Sequence, residues 1–216
     1  MDELKTNSPG TSTTSDGAAD RTVVLARGRS NPATDAALIA AFAALIVVLT
    51  LLPSINVSAS SVPITLQTLG IVLAGATLGW KRGLLAVLLY IALGAIGLPV
   101  FAEQTGGLAT FSKPSVGYLV SFPFAAALCG FLVERLPRNE VATSAPLIFA
   151  SGAIASVVVV YPLGIVGLMN RLDMSFGKAF DINWLYVPGD IAKTVVAALV
   201  ASAVHRAFPD LLPPRK

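Results

Sequence analysis

Six long apolar runs, each closed by a short polar turn, leave this chain few folds to choose from. The runs cover 36–52, 63–78, 84–98, 114–133, 145–169 and 182–204. A helix crossing a hydrocarbon core of roughly 30 Å needs about 20 mainly apolar residues. In lipid the backbone must also satisfy its own hydrogen bonds, which favours helices over irregular chain. The expectation is an all-α integral membrane protein with six transmembrane helices over 33–208. A disordered tail of Ser, Thr, Gly and Asp precedes it over 1–32, and a short C-terminal tail follows over 209–216.

Composition agrees. Only 12% of the residues are charged and the mean hydropathy is +0.76, whereas a soluble domain carries about 25% charged residues. The net charge of +3 is spread singly between apolar runs, so no basic stripe for nucleic acid is expected. The first apolar run starts too late and runs too long for a signal peptide. With the N-terminus inside, eleven Lys and Arg fall on inner segments and three (Lys113, Arg171, Lys178) on outer ones. The positive-inside rule then puts both termini in the cytoplasm.

The sixth run contains Pro188-Gly189-Asp190-Ile191-Ala192-Lys193. A carboxylate and an ammonium at membrane depth need a reason, because each costs roughly 2.5–3.5 kcal/mol to insert near the bilayer centre. Three residues apart, Asp190 and Lys193 share a helix face. They form either a structural ion pair or a grip on one polar ligand. Pro63 suits a helix start, with Gln67 one turn inside it, aimed into the bundle or at a neighbouring helix. Trp80-Lys81-Arg82-Gly83 reads as a tight basic turn. Tyr90 lies in the third run, and Gly94 and Gly97 admit a close neighbour. The loop 101–113, with Gly106-Gly107, suits a cap over a site.

In the first run, Ala33, Ala37 and Ala41 form one row of small residues and Ala36, Ala40 and Ala44 another, a pattern that lets helices approach closely in lipid. The segment 170–183 reads as a polar loop, with Trp184 and Tyr186 in an aromatic belt. Cys129 is a packing residue. His205 is expected to serve the C-terminal dipole of the last helix. There is no Gly-rich loop ending in Lys-Ser/Thr, so ATP hydrolysis by this chain is not expected. Neither a metal site nor a cofactor is expected, and no histidine lies within reach of Ser121, Ser151 or Ser156 for nucleophilic chemistry.

These motifs resemble the BioY family, the biotin-binding substrate-specificity (S) components of energy-coupling factor (ECF) transporters. The resemblance rests on Val62-Pro63-Ile64-Thr65-Leu66-Gln67-Thr68-Leu69, Leu78-Gly79-Trp80-Lys81-Arg82-Gly83, the run Tyr90 to Phe101, Gly106-Gly107, Lys113-Pro114-Ser115-Val116-Gly117-Tyr118 and Pro188 to Lys193. Trp80 stands where the family usually has proline, away from the expected pocket. The resemblance implies a six-helix S-component-like bundle in the bacterial inner membrane that captures biotin from outside the cell. It also implies a transmembrane coupling subunit and two ABC-type ATPase subunits as partners. Asp190 and Lys193 would meet the ureido ring, Gln67 and Tyr90 would add polar contacts, and Phe101 and Tyr118 would wall the pocket. The alanine rows resemble the surface that packs on the coupling subunit. The competing reading is a self-sufficient secondary transporter with Asp190 as ion carrier, and a scaffold protein is a third.

Overall fold

A computed structural model describes residues 31–55, 62–137 and 144–212. Residues 1–30 of the tail predicted over 1–32, Asn56 and the serines that follow it, the turn at Arg138-Asn139-Glu140 and the last four residues lie outside these, and Pro32, expected in that tail, already begins α1. The helices are α1 (Pro32–Leu51), α2 (Gln67–Ala95), α3 (Val116–Arg135), α4 (Ala145–Ala155), α5 (Tyr161–Leu172), α6 (Phe176–Trp184) and α7 (Val187–Ala207). A π-helical stretch, Ser156–Val160, joins α4 to α5. It ends just before Pro162, which lacks the N–H for the Val158 carbonyl and crowds it, so the helix widens there. Among the described residues there is no strand, only the isolated pairs Ile55 with Ile64 and Phe101 with Thr105. Among the described residues five helical stretches are long and apolar enough to cross a membrane: α1, α2, α3, the continuous 145–172 and α7.

The second of these is not straight. Gly79 has φ 81° and ψ −178° inside α2, a conformation that glycine adopts without steric cost. The Gln67 amide meets the Tyr90 hydroxyl at 2.7 Å, although 23 residues of straight helix would part them by roughly 35 Å. Gly79 therefore folds α2 back on itself into two packed arms, 67–78 and 80–95. A methyl group on Gly83 would lie 2.9 Å from the Gly75 Cα, so the arms pack backbone against backbone. The basic turn expected over Trp80–Gly83 is thus compressed into Gly79, and those four residues are helical.

Breaking the helix at Gly79 frees a donor and an acceptor, and both find partners from other helices. The Trp80 N–H donates to Glu134 Oε1 at 2.9 Å. The Ala76 carbonyl, which would have accepted that N–H, takes His205 Nε2 at 2.9 Å. A carbonyl only accepts, so Nε2 carries the proton. This corrects the expectation for His205: it is 3% exposed and ties α7 to the fold-back of α2. At the same end, Arg82 pairs with Asp35 of α1 at 2.7 Å and donates to the Leu211 carbonyl at 2.8 Å. The start of α1, the hinge of α2 and the end of α7 therefore gather at one end of the bundle.

Other boundaries also move. α2 begins at Gln67 and not near Pro63, because Ile64 exchanges two backbone hydrogen bonds with Ile55 and holds the preceding chain extended. Gln67 is therefore the first helical residue instead of lying one turn in. The second arm stops at Ala95, short of Leu98, where Gly97 turns the chain at φ 110°. The predicted polar loop over 170–183 contains the helix α6. Cys129 is fully buried, as expected of a packing residue.

Candidate functional site

At the end of the bundle opposite the α2 hinge, the first turns of α2 and α7 meet on the wall of a cavity of about 110 Å³. That is many times the ~10–15 Å³ that admits one water. Asp190 lies in the first turn of α7, where unpaired backbone N–H groups favour a carboxylate. Its Oδ1 accepts from Lys193 Nζ and from Thr68 Oγ1, each at 3.0 Å. Lys193 Nζ also reaches Thr68 Oγ1 at 3.3 Å, closing a three-membered network. Among the described residues Oδ2 has only the long contact from the Tyr161 hydroxyl at 3.5 Å. The Asp190 and Lys193 side chains are 10% and 11% exposed, and both line the cavity. A buried acid and amine thus neutralise each other while leaving acceptor capacity on Oδ2 and donor capacity on Nζ.

Gln67 supplies a second polar point on the wall. Its Nε2 donates to the Tyr90 hydroxyl, which donates onward to the Val100 carbonyl at 3.2 Å. That relay fixes the amide, and Gln67 Oε1 accepts no hydrogen bond among the described residues. Tyr90 is fully buried and lies behind the wall as the support of Gln67.

Gly94 likewise lies behind the cavity. A side chain there would overlap the Phe101 ring, so the glycine is what lets Phe101 pack. Phe101 lines the cavity, edge-on to Tyr90 at 5.5 Å and to Phe111 at 6.2 Å. The loop from Phe101 to Lys113 is built of two 3₁₀ turns, Ala102–Gln104 and Leu108–Ser112. Glu103 and Gln104 both take left-handed backbone angles, φ 58° and 54°, a strained arrangement of the kind that clusters at ligand sites. Arg171, in the last turn of α5, fastens this loop by donating to the Phe111 carbonyl at 2.9 Å.

Tyr118 of α3 also lines the cavity. Its hydroxyl donates to Asn183 Oδ1 at 3.0 Å, its ring meets Tyr186 edge-on at 5.8 Å, and Gly164 makes room for it. The Tyr186 hydroxyl reaches back to the Val62 carbonyl at 3.2 Å. Of the seven residues singled out in the sequence, Gln67, Phe101, Tyr118, Asp190 and Lys193 line the cavity, and Tyr90 and Gly94 support it from behind.

Sequence reasoning passed over Asn183 and Tyr161, named Thr68 only within a motif, and treated Lys113 only as an outer charge; Tyr186, expected in an aromatic belt, is instead buried and lines the cavity. Glu103 and Lys113 also line the cavity, and Lys113 makes no ion pair among the described residues. The alanines at 33, 36, 37, 40, 41 and 44 are all exposed, on a face of α1 that the bundle does not use. Chemically the site suits a small molecule with an apolar body, adjoining N–H donors and a carbonyl.

The comparisons with known proteins point the same way. The family model described as the BioY family matches residues 19–210. A relative from Rhizobium etli named "Biotin transporter BioY" is 44% identical over 84% of this chain and 97% of its own length. Another of that name from Rhodobacter capsulatus is 42% identical over 81% of this chain and 95% of its own. Among solved structures, a crystal structure of the S-component for biotin from an ECF-type ABC transporter superposes with a TM-score of 0.77 at 28% identity. It covers 83% of this chain and 95% of that one.

Proposed function

The chain belongs to the BioY family, and on that premise we propose that it captures biotin for import as the S component of an ECF-type transporter. The observation that carries this reading is the network of Asp190, Thr68 and Lys193 on the wall of an otherwise apolar cavity. A ureido ring presents two N–H donors flanking one carbonyl. One N–H meets Asp190 Oδ2, the carbonyl accepts from Lys193, and the second N–H meets Gln67 Oε1. Phe101 and Tyr118 enclose the bicycle and its aliphatic tail. Lys113, a lining cation with no ion-pair partner among the described residues, receives the carboxylate.

Counting the two arms of α2 separately gives six membrane crossings, with the cavity opening outward and both termini cytoplasmic. The fold-back at Gly79 and the gathering of the α1 start with the α7 end support that count. The exposed alanine face of α1 is the docking surface for the transmembrane coupling subunit, and two ABC-type ATPases drive the cycle. The family reading is a transporter component and not an enzyme.

Calorimetric titration of the purified chain with biotin tests the capture step. Saturable heat with a rise in melting temperature is expected. No heat and no thermal shift at high ligand would remove the reading. Uptake of labelled biotin into vesicles, with and without the ATPase subunits, tests the coupling. Accumulation that ignores ATP and collapses with an uncoupler would replace it with a secondary transporter.

A further inference from the structure

The helix α6 presents three distinct faces. Ala179, Ile182 and Asn183 turn toward the bundle, with Ala179 and Asn183 buried. Phe176, Phe180 and Trp184, spaced four apart, form a second face that is 60%, 44% and 62% exposed. Their rings stack in one row, with centroids 6.0 Å and 6.2 Å apart and interplanar angles of 30° and 21°. Gly177, Lys178 and Asp181 make a third face, also exposed and polar.

At 100° per residue the aromatic row centres about a third of a turn from both the bundle face and the polar face. A helix at the edge of a membrane protein, lying along the water boundary, needs three faces: protein, lipid and water.

Nine residues span roughly 13.5 Å, far short of the roughly 30 Å core. α6 therefore does not cross. It joins α5 to α7, whose outward residues Leu163, Val166, Ile191 and Val195 form exposed apolar surface continuous in chain with it. Aromatic rings, tryptophan above all, are favoured at the level of the lipid headgroups, and amphipathic helices rest there with their apolar side sunk into the headgroup and acyl boundary.

We propose that α6 is a membrane-surface helix whose Phe176, Phe180 and Trp184 row lies in the headgroup and upper acyl region of the bilayer, so that the lipid itself holds one wall of the cavity. The link to the cavity is direct. Asn183 of α6 accepts from Tyr118, and Tyr186, two residues past its end, lines the cavity and holds the Val62 carbonyl. This inference rests on the reading of the chain as a membrane protein, and flotation separates the two.

The test uses the full chain carrying Trp80→Phe, which leaves Trp184 as the sole tryptophan, in phosphatidylcholine vesicles brominated either near the glycerol end or near the methyl end of the acyl chains. The protein is expected to float with the vesicles. Trp184 emission is expected to be quenched more by shallow than by deep bromines, and little by iodide in the water. Strong iodide quenching with no bromine effect, in protein that floats, would overturn the proposal. So would protection from both quenchers, which would mean that a second copy or another protein covers the row. A chain that fails to float removes the membrane reading and this proposal with it. If Trp80→Phe does not fold, the difference in quenching between the intact chain and Trp184→Phe gives the same answer.

Discussion

Replacing Asp190 by asparagine keeps the shape of the side chain and removes its charge. The consequences follow from three contacts. The substituted side chain retains an amide oxygen at the Oδ1 position, so Thr68 and Lys193 still have an acceptor there, now neutral. At the Oδ2 position an amide NH₂ replaces a carboxylate oxygen, so the ligand N–H proposed to bind there meets a donor.

Hydrogen bonds to a charged group contribute about 1.5–3 kcal/mol and neutral ones about 0.5–1.5. Losing charge assistance at the ligand contact therefore costs about 1 kcal/mol, and the mismatched ligand N–H adds a further ~1–2 kcal/mol. The total of about 2–3 kcal/mol is a weakening of biotin binding by about 30- to 150-fold. Asp190→Ala also strips the buried ammonium of its partner and falls toward the upper part of the roughly 2–5 kcal/mol range for such truncations. Calorimetry on detergent-purified protein, with a melting curve to establish folding, reads both values. A folded Asp190→Asn protein with unchanged affinity would refute the assignment of the acid to the ligand.

Three further outcomes follow. Gly94→Ala places a methyl group in the Phe101 ring; overpacking of this kind costs about 1–3 kcal/mol, and a lowered melting temperature with weaker biotin binding is expected in the same titrations. His205→Ala leaves the Ala76 carbonyl buried without its partner, a loss of about 1–3 kcal/mol seen as a lower melting temperature, while biotin affinity, set at the other end of the helix, stays unchanged. Ala37→Trp, on the exposed face of α1, is expected to leave biotin binding intact and to stop ATP-dependent uptake in vesicles containing the coupling and ATPase subunits; surviving uptake would move the docking face elsewhere.

The apolar runs were legible because crossing a bilayer demands length and oiliness that few other tasks do, and Asp190 with Lys193 stood out against that background. Thr68 did not. Its contact with Asp190 spans 122 positions, and a threonine in an apolar helix carries no mark of what it will face. The fold-back at Gly79 had a glycine to signal it, yet the neighbouring Lys81 and Arg82 drew the turn forward by several residues. α6 was hidden by its charges: Lys178 and Asp181 made 170–183 look like a loop, although Phe176, Phe180 and Trp184 already repeated every fourth residue. Pro63 suggested a helix start where extended pairing of Ile55 and Ile64 won.

The arm 67–78 is short for a membrane helix, rising only about 18 Å, and residues 62–66 lead into it as non-helical chain. Non-helical backbone is tolerated at that depth only where protein or a cavity surrounds it. The acid and amine of α7 that meet Thr68 at the tip of that arm would accordingly be immersed below the water surface, beyond easy reach of dissolved ions. Charges so placed are poorly screened, so this protein should hold its ligand almost equally well in fresh water and in brine.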